Sequence, residues 1–368
     1  MDISERARIY CSPRIWLEGA AVDQFKRVMD FEGIVRGAAF PDLHPGRGIP
    51  VGAAFLTENL IYPVLIGSDI GCGMTLYAAD LPLRKWKPDR LIRSLGDDPE
   101  RKIRQTALEQ PEQLPDRAED PDGMLGTLGH GNHFAEILTP DRIEDEEAWR
   151  RFFPEPRQLF LLLHSGSRRY GEQLWTDFAS EHADSGVPAD SEAGRAYLGE
   201  HDRLVRWAYF NRSLTARAIG RLLSCKLTEV CNTVHNSITA AGPGRWLHRK
   251  GASEAQTGRP LVIAGTRGNH SYLVLPEGDP ERFLYSLAHG CGRKWTRQST
   301  RTRMRDKYDA GSLLKTKLGS RVVCPDKDLL FEETPEAYKN IEQVIGSLQE
   351  FGMIRVIARF RPLLNLKP

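Results

Sequence analysis

Near its C-terminal end the chain reads SLAHGCGR at residues 286–293, directly after the short apolar run FLY at residues 283–285. The apolar run predicts a strand that leads into His289. Glycines on both sides of Cys291 let the backbone approach a phosphate closely, and the basic segment that follows would offer helix N–H groups to an anion. His289 is therefore a candidate nucleophile or acid–base residue beside a bound phosphate, and the alternative interpretation is a simple turn.

The composition of the chain limits the kinds of fold and binding site that it can form. The chain has 368 residues, of which 27% are charged, and its formal net charge is +2. A large core is therefore expected, and any nucleic-acid contact must be a local basic patch. The six cysteines are scattered without paired spacing, which predicts a reducing, cytoplasmic setting. We expect neither a signal peptide nor a membrane span, because every apolar run is too short.

Strand and helix patterns are interleaved along the whole chain. Strands are predicted at residues 51–56, 62–66, 74–78, 158–163, 260–264, 271–275, 283–287 and 354–360. Helices are predicted at residues 18–28 and 338–351, with a long helical pattern over 204–240, and residues 84–125 are interpreted as a helix and a surface connection. No linker divides the chain. We therefore expect a mixed α/β (α+β) fold, a single large domain over residues 1–368 with central β-sheets flanked by helices.

Glycine-rich turns carry most of the groups that could do chemistry. The sequence GSDIGCG at residues 67–73 contains Asp69 and Cys72, a carboxylate and a thiol that could bind one metal ion, with Cys72 able to bridge two. The sequence GTLGHGNHFAE at residues 126–136 contains His133 between Asn132 and Glu136, which makes it a better ligand candidate than His130. The sequence PDLHPGRGIPVG at residues 41–52 is interpreted as a tight loop with a capping aspartate.

Two further histidines complete a set of metal-capable groups. His164 ends the predicted strand 158–163 and His235 lies within the long helical pattern, where a lone histidine is more often a core residue. Taken together, the set has one ligand more than a structural zinc ion needs, and it suits a two-metal site for phosphate chemistry with Mn²⁺ or Zn²⁺. The members of this set are Asp69, Cys72, His133, His164 and His235.

The segment after His289 is strongly basic. Residues 293–307 contain seven lysines and arginines and one acid, Asp306. Such density near a candidate nucleophile suits a groove that follows a nucleic-acid backbone. The alternative is a solvated helix face.

At this point the motifs resemble those of a known family, the RtcB family of RNA ligases. The likeness covers nearly the whole chain and rests on PDLHPGRGIPVG, GSDIGCG, GTLGHGNHFAE, HSGSR, VHN, HRKGA, SLAHGCGR, TPEAYK and the C-terminal Lys367, in that order. The resemblance implies an RtcB-like fold. It also implies ligation of RNA ends that carry a 2′,3′-cyclic phosphate or a 3′-phosphate to RNA ends that carry a 5′-hydroxyl.

The resemblance also implies roles for individual residues. The five metal-capable residues would hold two Mn²⁺ ions, with Cys72 as the bridge, and His289 would attack the α-phosphate of GTP and carry GMP before an RNA-ppG end is formed. Glu136 and Lys367 would contact guanine. The residues implied to bind the nucleotide are Asn132, His133, Glu136, Ser286, Gly290, Arg293 and Lys367.

The sequence departs from the usual family pattern at several points. Residues 264–268 read AGTRG rather than PGSMG, Cys291 stands at a common alanine, and His130 stands at a usual serine. The short span from Cys72 to Asn132 resembles paralogues found beside a release-factor-like protein, which implies RNA repair and such a protein as partner. An alternative is a two-metal 2′,3′-cyclic phosphodiesterase that does not ligate. A non-catalytic RNA-binding protein is disfavoured, because a binding surface needs no clustered Asp, Cys and His.

Overall fold

Two antiparallel-rich sheets form the centre of the molecule, which a computed structural model describes for residues 1–109, 123–182 and 185–367. In spatial order the first sheet consists of β1 (Asp2–Ser4), β2 (Ala7–Ile9), β3 (Ile34–Pro45), β4 (Pro50–Glu58), β12 (Arg245–Lys250) and β11 (Asn236–Ala240). Helix α1 (Gly19–Met29) packs on β3 and buries Phe25, Val28 and Met29. Gly37 permits this close packing, since a Cβ there would lie 2.4 Å from the sulfur of Met29.

The second sheet carries the strands that later position the candidate site. In spatial order it consists of β10 (Leu227–Val234), β6 (Gly73–Ala79), β8 (Leu159–Ser165), β7 (Phe134–Ile143), β18 (Ile354–Leu366), β15 (Ser271–Pro276) and β14 (Leu261–Ile263), with β17 (Arg321–Val323) beside β18. Every residue of β6 and β8 is buried. A strand that is buried on both faces gives a continuous apolar run, which is why the sequence predicts β8 so clearly.

Short strand pairs and helices surround the two sheets. The pairs are β13 (Ala252–Glu254) with β16 (Ser286–Ala288), and β5 (Leu60–Ile61) with β9 (Val187–Pro188). The remaining helices are α2 (Pro88–Leu95), α3 (Pro99–Leu108), α4 (Glu146–Phe152), α5 (Arg169–His182), α6 (Glu192–Leu223), α7 (Arg297–Lys307), α8 (Lys327–Glu332) and α9 (Ile341–Glu350). No helix of the described residues is long and apolar enough to cross a bilayer.

The predicted mixed α/β fold with central sheets and flanking helices is confirmed. Seven of the eight predicted strand positions contain strand, and both short helices form close to their predicted bounds. The predicted surface connection falls partly on residues 110–122, which lie outside the described part of the chain.

The prediction of one helical pattern over residues 204–240 is wrong beyond residue 223. Helix α6 is capped by Ser191, whose hydroxyl accepts from the backbone N–H of Gly194, and it ends before Ser224, which takes a left-handed φ of 54°. The next segment, LTEVCNTV, is rich in β-branched residues and pairs with β6 as β10. His235 therefore lies in the break between β10 and β11, not on a helix.

Two smaller predictions also need correction. Residues 62–66 form no strand, because Pro63 begins a 3-10 turn there. The strand expected over residues 283–287 is reduced to β16, since Leu284 and Tyr285 take left-handed φ values of 53° and 47°. That turn aims the chain into β16 and so toward His289.

Candidate active site

Four neighbouring strands of the second sheet bring the metal-capable residues to one edge. His235 follows β10, Cys72 precedes β6, His164 is the penultimate residue of β8, and His133 precedes β7. The strands are antiparallel neighbours, so the end of one lies beside the start of the next. The register confirms this arrangement by pairing Val234 with Gly73, Gly73 with Ser165, and Phe134 with His164.

The side chains of this edge meet at a single centre. The Sγ atom of Cys72 lies 3.5 Å from Nε2 of His133 and 3.2 Å from Nε2 of His164. The Nε2 atom of His164 lies 3.2 Å from Nε2 of His235, and Oδ2 of Asp69 lies 2.9 Å from Nε2 of His133. The structure thus brings together all five residues that the sequence singles out. We name them the metal cluster: Asp69, Cys72, His133, His164 and His235.

The donor atoms of the metal cluster fit a bound cation. The Nδ1 atoms of His133, His164 and His235 are buried without a hydrogen-bond partner among the described residues, so each ring directs Nε2 to the centre. A proton on Nε2 of His164 or His235 would face another ring nitrogen or the thiol, whereas a cation would be bound by the lone pairs of these nitrogens. Ligand atoms of Cys72, His133 and His164 lie within 4.8 Å of one another. Nitrogen, sulfur and carboxylate donors together suit a transition-metal ion.

Burial and mutual proximity set the protonation of this cluster. Burial, followed by the charges of neighbouring histidines, lowers the pKa of His164 and of His235 well below the ordinary value. Both rings are therefore neutral at physiological pH, as metal ligands must be. Burial and the Asp69 carboxylate raise the pKa of the Cys72 thiol, and a bound cation would reverse that effect by stabilising the thiolate.

Two arginines hold the loops of the metal cluster in place, a structural role that the sequence does not indicate. Arg212 of α6 is fully buried and donates to the carbonyls of Gly71 and Ser165 at 3.1 and 2.6 Å, which ties the Cys72 loop to the end of β8. The backbone N–H of Arg168 donates to Oδ1 of Asp69 at 2.8 Å. Gly166 gives Asp69 its space, since a Cβ there would lie 2.4 Å from the same oxygen.

His289 lies beside the metal cluster and is oriented by an aspartate. Its ring centroid is 4.8 Å from that of His235, and its Nδ1 lies 2.7 Å from Oδ2 of Asp42. A carboxylate only accepts, so Nδ1 carries the hydrogen and Nε2 carries the lone pair. Asp42 is fully buried, and Lys339 fixes its loop by donating to the carbonyls of Pro41 and Leu43 at 3.0 and 2.6 Å. The sequence motif around Asp42 predicted a capping residue. That prediction did not include His289, the partner that Asp42 binds in the structure.

Two of the residues expected to bind the nucleotide, Arg293 and Lys367, are connected through Glu333, for which the sequence carries no local signal. Glu333 accepts from Arg293 at 2.9 Å, from Tyr338 at 2.6 Å and from Lys367 at 3.2 Å. Burial alone would raise the pKa of Glu333, but these neighbours, Lys367 foremost, hold that pKa at about 2. Lys367 also lies 3.4 Å from the carbonyl of His133. The contacts of Glu333 and Lys367 thus join the His289 loop, the C-terminal end and the metal cluster.

The other residues expected to bind the nucleotide differ in their exposure to solvent. Asn132 is exposed, whereas Glu136 is buried and accepts from the Asn365 amide at 3.0 Å. The hydroxyl of Ser286 is fully buried, accepts from Arg249 at 2.9 Å and donates to a backbone carbonyl. Gly290 forms a β-bridge with residue 264. Ser286 and Gly290 therefore shape the backbone of the His289 loop.

Replacing Glu136 by glutamine should stabilise the protein increasingly as pH rises. Burial raises the pKa of Glu136 to about 8. The folded state therefore holds this proton more tightly than the unfolded state, so wild-type stability falls as pH rises from about 4.3 toward 8. Glutamine does not ionise. Urea unfolding at pH 5, 6.5 and 8 should show a growing difference in favour of the variant, with a change of about 3–4 kcal/mol between pH 5 and pH 8. Parallel curves would contradict the raised pKa.

A cavity of mixed charge opens beside the metal cluster. Its volume is about 870 Å³, and Asp69, Asn132 and His133 lie in its wall. Four carboxylates line it, those of Asp69, Asp98, Glu100 and Glu172, together with five arginines, so its charge is nearly balanced. The arginines are Arg101, Arg104, Arg168, Arg169 and Arg297.

The basic helix α7 contributes less to this surface than the sequence suggests. Arg301 and Arg305 both pair with Asp328 of α8, and the guanidinium of Arg303 lies over the ring of Trp295 at 4.7 Å. Acidic residues of α8 therefore neutralise much of the positive charge of α7. Of this helix, Arg297 is the residue that lines the cavity.

Comparisons with known proteins agree with this geometry. The family model described as tRNA-splicing ligase RtcB matches residues 24–115 and 97–368. The chain is 39% identical to RNA-splicing ligase RtcB2 of Escherichia coli, over 99% of this chain and 96% of the relative. It is 28% identical to tRNA-splicing ligase RtcB of Archaeoglobus fulgidus, over 94% and 91% of the two chains, and 27% identical to RNA-splicing ligase RtcB of Mycobacterium tuberculosis, over 92% and 99%.

Proposed function

The chain belongs to the RtcB family of RNA ligases, and from that premise we propose that it is a GTP- and Mn²⁺-dependent ligase. It would join RNA ends with a 2′,3′-cyclic phosphate or a 3′-phosphate to RNA ends with a 5′-hydroxyl. The observation that carries the proposal is the position of His289, which has Nδ1 bound to Asp42 and its ring beside the metal cluster. A phosphodiesterase would need the metals but no oriented nucleophile.

The first step of the proposed reaction belongs to His289. Its Nε2 attacks the α-phosphorus of GTP; an N–P bond forms, the bond to the bridging oxygen breaks, and pyrophosphate leaves. The Nδ1 hydrogen stays with the imidazole, and the Asp42 carboxylate stabilises the positive charge that the ring acquires. His289 then carries GMP.

The second and third steps transfer and release that nucleotide. An oxygen of the RNA 3′-phosphate attacks the phosphorus on His289, the N–P bond breaks, and an RNA-ppG end forms while His289 regains its lone pair. The 5′-hydroxyl of the other end then attacks the RNA 3′-phosphorus and GMP leaves. For an end with a cyclic phosphate, we propose that the same site first opens the ring to a 3′-phosphate. Bound metal ions would supply Lewis-acid stabilisation of charge on the phosphoryl oxygens.

The metal cluster would hold the two Mn²⁺ ions. Cys72 would be a ligand shared with His133 and His164, because its sulfur faces the Nε2 atoms of both. Asn132 would contact the nucleotide phosphates from the cavity wall, and Glu136 and Lys367 would contact the guanine edge. Supporting this assignment, Lys367 donates to the carbonyl of a cluster residue and is joined to the His289 loop through Glu333.

The proposal extends to the setting of the enzyme. Membership of a family of RNA ligases supports RNA as the substrate. RNA repair and a release-factor-like partner belong to the same proposal, and their support is the resemblance of the short Cys72–Asn132 span to such paralogues. A cytoplasmic setting is proposed from the cysteines without paired spacing, and a single domain over residues 1–368 from the lack of a dividing linker.

A labelling experiment tests the function directly. Purified protein would be incubated with α-³²P-GTP and Mn²⁺, denatured and examined for retained label. We expect an adduct that is labile in acid and stable in alkali, as a phosphoramidate is, and joining of RNA ends in the same mixture. Opening of a cyclic phosphate without an adduct would instead identify a phosphodiesterase.

Replacing Asp42 by asparagine should slow adduct formation by about 10³–10⁴-fold. An asparagine amide can donate to Nδ1 of His289, which favours the tautomer with its hydrogen on Nε2 and so removes the attacking lone pair. Single-turnover labelling measures the effect. Metal content and thermal unfolding serve as controls, because Asp42 lies outside the metal cluster. Labelling within tenfold of wild type would show that Asp42 does not set the tautomer.

A further inference from the structure

One aspartate anchors two histidines. The Nδ1 atom of His44 lies 2.8 Å from the backbone carbonyl oxygen of Asp42, while Nδ1 of His289 lies 2.7 Å from the carboxylate of the same residue. Both partners are acceptors only, so both rings carry their hydrogen on Nδ1. In the neutral state each ring therefore has its lone pair on Nε2.

The second ring is available and held in position. The Nε2 atom of His44 has no hydrogen-bond partner within the described ranges, and the side chain is half-buried rather than enclosed. Its loop is fixed on one side by Lys339, which binds the carbonyl of Leu43 at 2.6 Å. On the other side Gln24 of α1 makes two hydrogen bonds to the backbone of Gly46, at 3.0 and 3.1 Å. His44 thus presents a preorganised nitrogen and shares its anchor, Asp42, with the proposed nucleophile His289.

The surroundings of His44 keep it neutral. Burial lowers the pKa of His44 to about 4, and the nearby His289 and Lys339 act in the same direction against the opposing effects of Asp42. The ring can therefore accept a proton throughout the physiological range. RNA phosphates bound beside it would favour its protonated form, because an opposite charge stabilises a cation.

The chemistry of the proposed reaction indicates where such a group is needed. Its three bond-forming steps use different nucleophiles: the lone pair of His289, the anionic oxygen of a 3′-phosphate, and a 5′-hydroxyl. Of these three nucleophiles, only the hydroxyl must lose a proton as it attacks; the water that opens a cyclic phosphate acts in an earlier step. The two group-transfer steps through His289 can proceed without a second imidazole, whereas the sealing step gains from a general base.

We propose that His44 is the general base of the sealing step, an inference that rests on the proposed ligase function. Its Nε2 accepts the proton of the 5′-hydroxyl while the oxygen forms a bond to the RNA 3′-phosphorus. The bond between that phosphorus and the oxygen that bridges to GMP breaks, and GMP leaves as a phosphate anion. The proton on His44 then passes to solvent or to the departing GMP, which restores the neutral ring.

Step-resolved kinetics on RNA with a presynthesised 3′-ppG end tests this assignment. His44→Ala should seal this end about 10²–10³-fold more slowly than wild type, within the range for general-base catalysis. Covalent labelling by GTP and formation of RNA-ppG should remain near wild type, so the activated end should accumulate in the complete reaction. Added imidazole should partly restore sealing to His44→Ala, a rescue that a purely structural role would not give.

A second variant separates base catalysis from loop positioning. His44→Asn retains an N–H that can reach the Asp42 carbonyl but has no basic nitrogen. We expect it to seal as slowly as His44→Ala, with unchanged thermal unfolding and metal content. Sealing at the wild-type rate by either variant would overturn the assignment of His44. Failure of the wild-type protein to form an adduct or to seal the presynthesised end would instead overturn the ligase function itself.

Discussion

Replacing His289 by alanine should abolish covalent labelling by GTP and the joining of 3′-phosphate ends. No other imidazole in the described residues combines a carboxylate-bound Nδ1, a neighbouring metal cluster and a free Nε2. Loss of a nucleophile that forms the covalent intermediate should reduce both activities by more than about 10³-fold, beyond what loss of a general base alone would cause. Gel detection of ³²P-labelled protein and of joined RNA measures the two activities.

The same variant should still seal an RNA that already carries the 3′-ppG group. His289 has completed its transfer by then, so its removal should leave that step within roughly tenfold of wild type, a smaller effect than loss of a general base. His289→Gln is the matched control, because it fills similar space without a nucleophilic nitrogen. Retained labelling in either variant would place the nucleophile elsewhere. The opposite profiles expected for His289→Ala and His44→Ala would separate activation from sealing.

Replacing Cys72 by serine should remove metal binding and, with it, every step of the reaction. The Cys72 sulfur faces two imidazole nitrogens at 3.2 and 3.5 Å, so it is the shared donor of the cluster. Losing a residue that only supports a ligand typically costs 10–100-fold in metal affinity, so losing this ligand should cost more than about 100-fold. Competition with a chelator of known affinity measures the change without depending on activity.

Thermal unfolding provides a second measurement on the same variant. A metal that binds only the folded state raises the unfolding temperature of wild-type protein with its concentration. This rise should vanish in Cys72→Ser at Mn²⁺ concentrations that saturate wild type. Cys225→Ser is the matched control, since Cys225 is a half-buried thiol at the end of α6. An unchanged Mn²⁺ response in Cys72→Ser would exclude Cys72 as a ligand.

Glu333 links residues that are proposed to bind the nucleotide. Its carboxylate binds Arg293 of the His289 loop, Tyr338 and Lys367, all largely withdrawn from water. Removing one member of a buried ionic group leaves the others without compensation, which is costly. We therefore expect a change at Lys367 to disturb the His289 loop. Arg293 and Lys367 can each be identified in the sequence, but their common partner cannot.

The sequence by itself identified the candidate ligands and most of the strands around them. Cys72 and His133 lie in glycine-rich turns that lead into β6 and β7, and His164 lies at the end of the apolar run that becomes β8. Those features are local: apolar runs favour buried strands, and glycines permit the turns between them. The prediction was wrong where two local signals competed. Before His235, a helical periodicity continues into a segment rich in β-branched residues, and that segment pairs with β6 as a strand.

Only the tertiary structure decided which residues act on one another. Asp42 and His289 are 247 positions apart, and Glu333 and Lys367 are 34 apart, so no spacing rule could pair them. The same holds for Asp328, which neutralises Arg301 and Arg305 and so directs the expected RNA surface toward the cavity. The packing of the two sheets and their helices determines which distant side chains contact one another. The sequence therefore supplied the chemical groups, and the fold supplied their orientation, tautomer and charge.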